Sequence, residues 1–199
     1  QRIDHSITQK KSYFNKNSSF KECVDTIIRQ VTNIEKLVSE FSNFARMPQS
    51  KIEKVNLLNI IQMQINTQKI ANKNVKFNFI YNEKDLFIGC DFDQISRLFM
   101  NILKNSVESS KKKKKEISVN ILKEKEFVQI DIDDNGSGFD DINPNIFFEP
   151  YMTKKTNGTG LGLAICKKIV EDHNGEIELL ESPILSGARV RIKLYIDIK

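Results

Sequence analysis

The chain has 199 residues, 39% of them hydrophobic and 29% charged, which suits one or two packed domains and excludes a disordered chain. The single run Lys111–Lys115 accounts for the whole net charge of +5; it reads as a solvated loop, and with no basic stripe interleaved with aromatics a nucleic-acid partner is excluded. No apolar run approaches the ~18 residues of a membrane span, and Cys23, Cys90 and Cys166 form no CxxC pair, which fits buried thiols in a reducing compartment.

In chain order, Phe20, Val24, Ile27, Val31, Ile34, Val38, Phe41 and Ala45 step by four and three, a heptad seam. Ile28, Leu37 and Phe44 widen the apolar face beyond a two-stranded seam, which predicts one arm of a four-helix bundle. Upstream, Gln1–Phe14 reads as a shorter arm and Asn15–Ser19 as the turn between them, with Ser18 or Ser19 as N-cap. Two such hairpins, one per chain, would make a dimer. The start at Gln1, where a complete chain carries Met, reads as a cut from a longer protein. The expected layout is a partial hairpin over 1–47, a linker over 48–54 opened by Pro48, and a second domain over 55–199.

In that second domain Leu57–Ile70, Asp93–Ser109 and Gly160–His173 read as helices, the last closed by Asn174–Gly175. Val75–Tyr81, Leu86–Cys90, Ile117–Leu122, Phe127–Asp133, Glu176–Leu180 and Arg189–Ile196 read as strands. The mixture predicts an α+β domain, a mostly antiparallel sheet with helices on one face.

Three segments carry chemistry. Asn101 and Asn105 lie one turn apart on the helix Asp93–Ser109, and Glu108 continues their stripe. An amide oxygen there suits a hard cation held otherwise by phosphates and water; a merely solvated face of an Asn-rich chain is the alternative. Asp134-Asn135-Gly136-Ser137-Gly138 follows a strand and is followed by no return strand, so it is not a hairpin. A carboxylate fixed at a strand end beside glycines suits an adenine amino group; Asp133 is the second candidate. Gly158-Thr159-Gly160-Leu161-Gly162 opens a helix, where backbone N–H groups and the dipole favour phosphate. Its spacing fits neither a Walker loop nor a dinucleotide fingerprint, and a flexible loop with a cap is the alternative. Between the glycine clusters, Phe139–Asn157 lacks periodicity and reads as a mobile lid. Its lysines could meet terminal phosphates, and its aromatics could anchor it or simply pack.

These motifs, in this order, resemble the bacterial sensor histidine kinases. Asn101–Ser106 is similar to their N box, Asp134–Gly138 to the first glycine box, Phe148–Tyr151 to the F box and Gly158–Leu163 to the second glycine box. Phe41–Pro48 and Glu149–Thr153 make the chain most similar to the nitrogen-regulation, NtrY-like branch. The resemblance implies a Bergerat α/β sandwich after a hairpin for dimerisation and histidine phosphotransfer. It implies ATP and Mg²⁺ as cofactors, Asn105 as the metal ligand and Asn101 near the phosphates. Asp134 would hold adenine, Gly136 and Gly138 would admit it, and Gly158, Gly160 and Gly162 would line the triphosphate. Phe148, Lys154, Thr159 and Leu161 join this cofactor-binding set, and Lys155 matches the lid cation, with Lys154 its rival for the γ-phosphate.

The chain departs from that pattern at its start. The phosphoacceptor box, His-Glu-x-x-Asn-Pro in form, is absent; His5 and His173 stand in other settings. The expectation is therefore an ATP-binding kinase portion that cannot phosphorylate itself. Its parent would pass phosphate from a bundle histidine to a response regulator and would be cytoplasmic beneath an inner-membrane anchor. A Bergerat-fold ATPase is a rival, disfavoured because Asn101 stands where such enzymes place a carboxylate base. A non-catalytic ATP-sensing dimerisation module is the other.

Overall fold

Helix α1 runs unbroken from Arg2 to Ala45. The turn expected at Asn15–Ser19 is not formed, and those residues are helical like their neighbours. None of the five is Gly or Pro, and Asn, Lys and Ser each cost at most about 0.7 kcal/mol within a helix, too little to stop one. The protein is described by a computed structural model over residues 2–45, 48–110, 112–139, 143–155 and 158–196, with the side chains of 2–19, 36 and 43–45 left aside. It divides into two units, Gln1–Arg46 and Met47–Lys199. In the first, Phe20, Ile27, Ile28, Val31, Ile34, Val38 and Phe41 are all exposed along α1.

The second unit begins with a strand, β1 (Glu53–Asn56), within what the sequence suggests as linker and its edge. Four residues are too few to show a period. It pairs antiparallel with β3 (Phe87–Cys90). Its approach is tied down: Lys51 N donates to Asp91 Oδ2 at 2.7 Å, and Gln94 Nε2 donates to Pro48 O at 3.2 Å.

Helix α2 (Leu57–Ala71) starts where the Asn56 side chain accepts from Leu58 N. It buries Leu57, Leu58, Ile60, Ile61 and Ile65. Helix α3 (Phe92–Ser109) is capped by Asp91, whose Oδ1 accepts from Gln94 N at 2.9 Å. Ile95, Leu98, Phe99, Ile102 and Leu103 form its buried stripe, which leaves Asn101, Asn105 and Glu108 on another face.

The main sheet is five-stranded, in the order β2 (Val75–Ile80), β4 (Lys115–Lys123), β5 (Phe127–Asp134), β7 (Ala188–Tyr195), β6 (Glu176–Glu181). The β2–β4 pair is parallel, because the chain crosses over through α3 between them, and the rest are antiparallel. Ile117, Val119, Val128, Ile130, Ile132, Val190, Ile192 and Leu194 are buried, and alternation puts them on one face, the face covered by α2, α3 and α4 (Gly162–Asp172). The other face carries cross-strand pairs of opposite charge, Asp133 with Arg189 and Asp131 with Arg191. Helix α4 ends at His173, and Asn174 takes a left-handed φ of 54° in the predicted closing turn.

Candidate nucleotide site

Successive residues of a strand face opposite ways, and this separates the two adjacent aspartates at the end of β5. Asp133 falls on the charged face, where its two oxygens accept from Arg189 Nε at 2.8 Å and Nη2 at 3.0 Å. Its binding capacity is spent on that bidentate pair. Asp134 falls on the helix-covered face and is 4% exposed. Three donors converge on its Oδ1: Gly136 N at 2.8 Å, Ser109 Oγ at 3.1 Å and Ala188 N at 3.3 Å. Burial pushes the Asp134 carboxyl above the ordinary carboxylate range, and hydrogen bonds from Gly136, Ala188, Ser109 and Ser106 draw it only part of the way back.

The glycines at this corner permit the approach. A Cβ at Gly136 would run into the Ser109 side chain and come within 2.7 Å of Asp134 Oδ1. A Cβ at Gly187 would run into the Asp134 carbonyl. Asn135 ties the corner to the start of β4: its Oδ1 accepts from Glu116 N at 3.1 Å, and its N donates to Glu116 O at 3.2 Å. Gly138 follows at φ 68°, over the Gly187 carbonyl. Ser109, Gly187 and Ala188 were not visible as site residues in the sequence. Ser186–Gly187 falls there between the last two strands, and Ser109 reads as a helix end.

Helices α3 and α4 pack antiparallel. A Cβ on Gly162, at the first turn of α4, would lie 3.7 Å from Asn105 Nδ2, while Cys166, one turn later on α4, donates its Sγ to Leu98 O of α3 at 3.8 Å, with Asn101 next to that thiol. Asn105 therefore stands beside the opening of α4, and Asn101 one turn deeper between the helices. Burial pushes the Cys166 thiol up to about 12, so it is inert packing. No side chain caps α4, so its first N–H groups are not satisfied by a side-chain cap where the helix opens beside Asn105. His173 closes the other end of α4, buried, with Nδ1 2.7 Å from Ile169 O and Nε2 accepting from Asp91 N at 3.0 Å. Both ring nitrogens serve the fold.

The segment between the glycine clusters has local order that its sequence did not display. Pro144–Phe148 forms a 3₁₀ turn, capped by Asn143, that packs on α4 and β6. Phe148 is 6% exposed, with Lys167 Nζ of α4 5.6 Å from its ring centroid. Leu161 is fully buried. These two members of the expected cofactor set thus lie in the protein interior, where they anchor the flanks of the lid. Tyr151 N donates to Gly160 O at 3.1 Å, and Gly160 takes φ 70° where a Cβ would meet the Tyr151 backbone. Gly158 N donates to Lys155 O at 3.1 Å, and Thr159 Oγ1 accepts from Leu161 N at 3.5 Å.

The two lid lysines part company. Lys154 Nζ donates to Phe139 O at 3.1 Å and lies 5.5 Å from the Phe147 ring centroid. Lys155 Nζ reaches across to α3 and donates to Asn105 Oδ1 at 2.9 Å and Glu108 Oε2 at 2.6 Å. The amide oxygen expected to meet a metal already holds a cationic group, and this donor set fits a hard cation such as Mg²⁺.

Residues 90–198 match the family model for histidine kinase-, DNA gyrase B- and HSP90-like ATPases. The chain is 38% identical over 183 residues to the nitrogen regulation protein NtrY of Azorhizobium caulinodans, covering 88% of this chain and 23% of that one. It is 34% identical over 181 residues to an NtrY-like sensor histidine kinase of Rickettsia bellii, covering 90% and 30%. The chain thus spans less than a third of the length of these curated relatives. Among solved structures, the catalytic domain of histidine kinase ThkA superposes with a TM-score of 0.63 at 26% identity, over 73% of this chain and 96% of that one. Two others share the fold. Full-length ShkA in complex with AMPPNP has a TM-score of 0.70 at 17% identity, over 87% and 38%. ThkA in complex with the response regulator TrrA has a TM-score of 0.70 at 21% identity, over 89% and 52%.

Proposed function

The chain belongs to the family of histidine kinase-, DNA gyrase B- and HSP90-like ATPases, as a catalytic domain of the NtrY-like sensor histidine kinase kind, and from that premise we propose that its parent transfers the γ-phosphoryl group of ATP to a histidine on a helical bundle. The observation that carries this reading is that α3 holds Asp134 through Ser109 at its end and, one turn earlier, sets Asn105 beside the uncapped start of α4. A buried acceptor, an amide oxygen suited to a cation and a phosphate-favouring helix end thus line one stretch of α3.

Asp134 accepts the adenine amino group through the oxygen that Gly136 N, Ser109 and Ala188 N do not hold. Gly136 and Gly138 let the base reach the backbone. Gly160 and Gly162 bring the backbone at the start of α4 to the triphosphate, while Gly158 and Thr159 shape the turn before it through the bonds of Gly158 N to Lys155 O and of Leu161 N to Thr159 Oγ1. Asn105 holds Mg²⁺, which supplies charge neutralisation at the phosphates when bound. Lys155 leaves Asn105 and Glu108 to meet the γ-phosphate, Lys154 keeps the lid folded, and Asn101 spaces α3 from α4. Because phosphoryl transfer needs little covalent work from the protein, positioning and charge placement make up the catalysis.

The acceptor histidine is supplied from outside the described residues. His173 has both nitrogens engaged, and His5 is followed by Ser-Ile-Thr-Gln in place of the expected acceptor box, which supports a chain that does not label itself. The exposed apolar stripe of α1 pairs with the same stripe of a second copy, one described helix from each chain. A response regulator then takes the phosphoryl group, as the ThkA–TrrA complex suggests by analogy. No helix among the described residues is long and apolar enough to cross a membrane; the proposed site of action is the cytoplasmic side of an inner-membrane sensor.

The test is calorimetric titration with Mg·ATP, Mg·ADP and Mg·GTP. Adenine nucleotides should bind and GTP should not, because its O6 meets an acceptor. Equal binding of ATP and GTP, or ATP affinity unchanged by D134N, would refute the site.

A further inference from the structure

Resting on the nucleotide site proposed above, we infer that Glu108 is the second protein oxygen donor to the divalent cation, and that Lys155 is a tethered occupant of the same position until the metal arrives.

Asn105 and Glu108 are three residues apart on α3, so their side chains share a face. One ammonium group, Lys155 Nζ, lies 2.9 Å from the amide oxygen of Asn105 and 2.6 Å from Oε2 of Glu108. A single cationic group is thus already coordinated by one neutral and one anionic oxygen. That pairing suits a hard divalent ion that keeps several waters and takes the rest of its shell from phosphates. The remaining carboxylate oxygen, Oε1, has Lys104 Nζ at 3.9 Å, a loose partner on the same helix.

The occupant is replaceable. The Lys155 and Glu108 side chains are 39% and 41% exposed, and ion pairs this wet are weak and salt-screened. Lys155 sits on the lid segment, between the backbone bonds of Tyr151 to Gly160 and of Gly158 to Lys155. Its departure from α3 therefore repositions the lid. A divalent cation at Asn105 and Glu108 would repel the ammonium and direct it to the phosphates, which lack a counter-charge until then. Metal entry and lid engagement become one exchange step, with no bond made or broken beyond coordination and hydrogen bonds.

Mn²⁺ serves as the probe, followed by electron paramagnetic resonance on the intact chain without nucleotide. Replacement of the ammonium in K155M should tighten Mn²⁺ binding by about tenfold, the gain expected when an internal competitor is removed. E108Q should weaken Mn²⁺ binding relative to wild type, and the double variant E108Q/K155M should show no gain. Two results overturn the inference: equal Mn²⁺ affinity in wild type and K155M, or an undiminished gain in E108Q/K155M, which would make Glu108 only an anchor for the lysine. Mg·ATP binding by the wild-type chain, titrated in parallel, separates the two levels. A chain that takes no ATP fails the nucleotide reading, whereas one that takes ATP but shows no Mn²⁺ gain in K155M fails this inference alone.

Discussion

Ser109 Oγ lies 3.1 Å from Asp134 Oδ1 and 2.9 Å from Ser106 O, joining the last turn of α3 to the last residue of β5. A hydroxyl has one proton, so it serves the carboxylate or the carbonyl at any moment. When it serves Asp134 it favours the ionised form and fixes the rotamer that turns the second oxygen toward a ligand. S109A should weaken ATP binding by about fivefold at neutral pH, the loss of one modest hydrogen bond. It should also move the acid limb of binding to higher pH, since a donor that lowers the carboxyl's affinity for protons is gone. S110A is the control. An acid limb that stays in place in S109A would remove Ser109 from the site.

Asp134 is expected to be a liability in the empty protein. Its carboxyl is raised above its ordinary value of 3.8 by burial, so the folded state holds this proton more tightly than the unfolded chain does. Stability contributed at this residue therefore falls as pH rises from about 4 toward the folded value. D134N keeps the oxygen that accepts from Gly136 and Ala188 without the charge. Its melting temperature should gain on wild type between pH 3 and pH 7, while ATP no longer raises it. A constant difference across that range would contradict the burial argument.

Asp133 should matter to the fold and not to the nucleotide. Its side chain is fully buried against Arg189. R189M leaves a buried carboxylate without its partner, a loss of about 3–5 kcal/mol, which for a domain of this size lowers the melting temperature on the order of 10 °C. ATP affinity of the folded fraction should be unchanged. A selective loss of ATP binding in R189M with normal melting would show that the charged face takes part in nucleotide recognition.

The lid lysines should separate in function. K154M removes the contacts to Phe139 O and the Phe147 ring and should speed hydrogen exchange across 143–155. K155M should lower phosphoryl transfer by about a hundredfold, the order seen when one charge-stabilising donor is removed. Equal transfer defects in the two variants would return the choice between them to open ground.

Much of this was legible in the sequence because periodicity and glycine punctuation agree there. The stripe Ile95, Leu98, Phe99, Ile102, Leu103 foretold α3 and the placement of Asn105, and the alternation of Val128, Ile130 and Ile132 foretold β5. The choice between Asp133 and Asp134 was already half made by that alternation, since Asp134 continues the buried series. What stayed hidden depended on contacts distant in sequence. Nothing near Ser109 or Gly187 announces that each will meet Asp134, and Lys155 could be told from Lys154 only once α3 was placed across from the lid. The turn at Asn15–Ser19 failed for a different reason: polar residues permit a turn but do not force one without Gly or Pro.

The most direct measurement is phosphoryl transfer from γ-labelled ATP to a separately supplied NtrY-type helical bundle that carries the acceptor histidine. Acid-labile, base-stable label should appear on the bundle in the presence of this chain, should be absent from the chain itself, and should be lost with D134N. ATP bound by this chain without label on the bundle, or steady phosphate release in its place, would contradict the kinase reading.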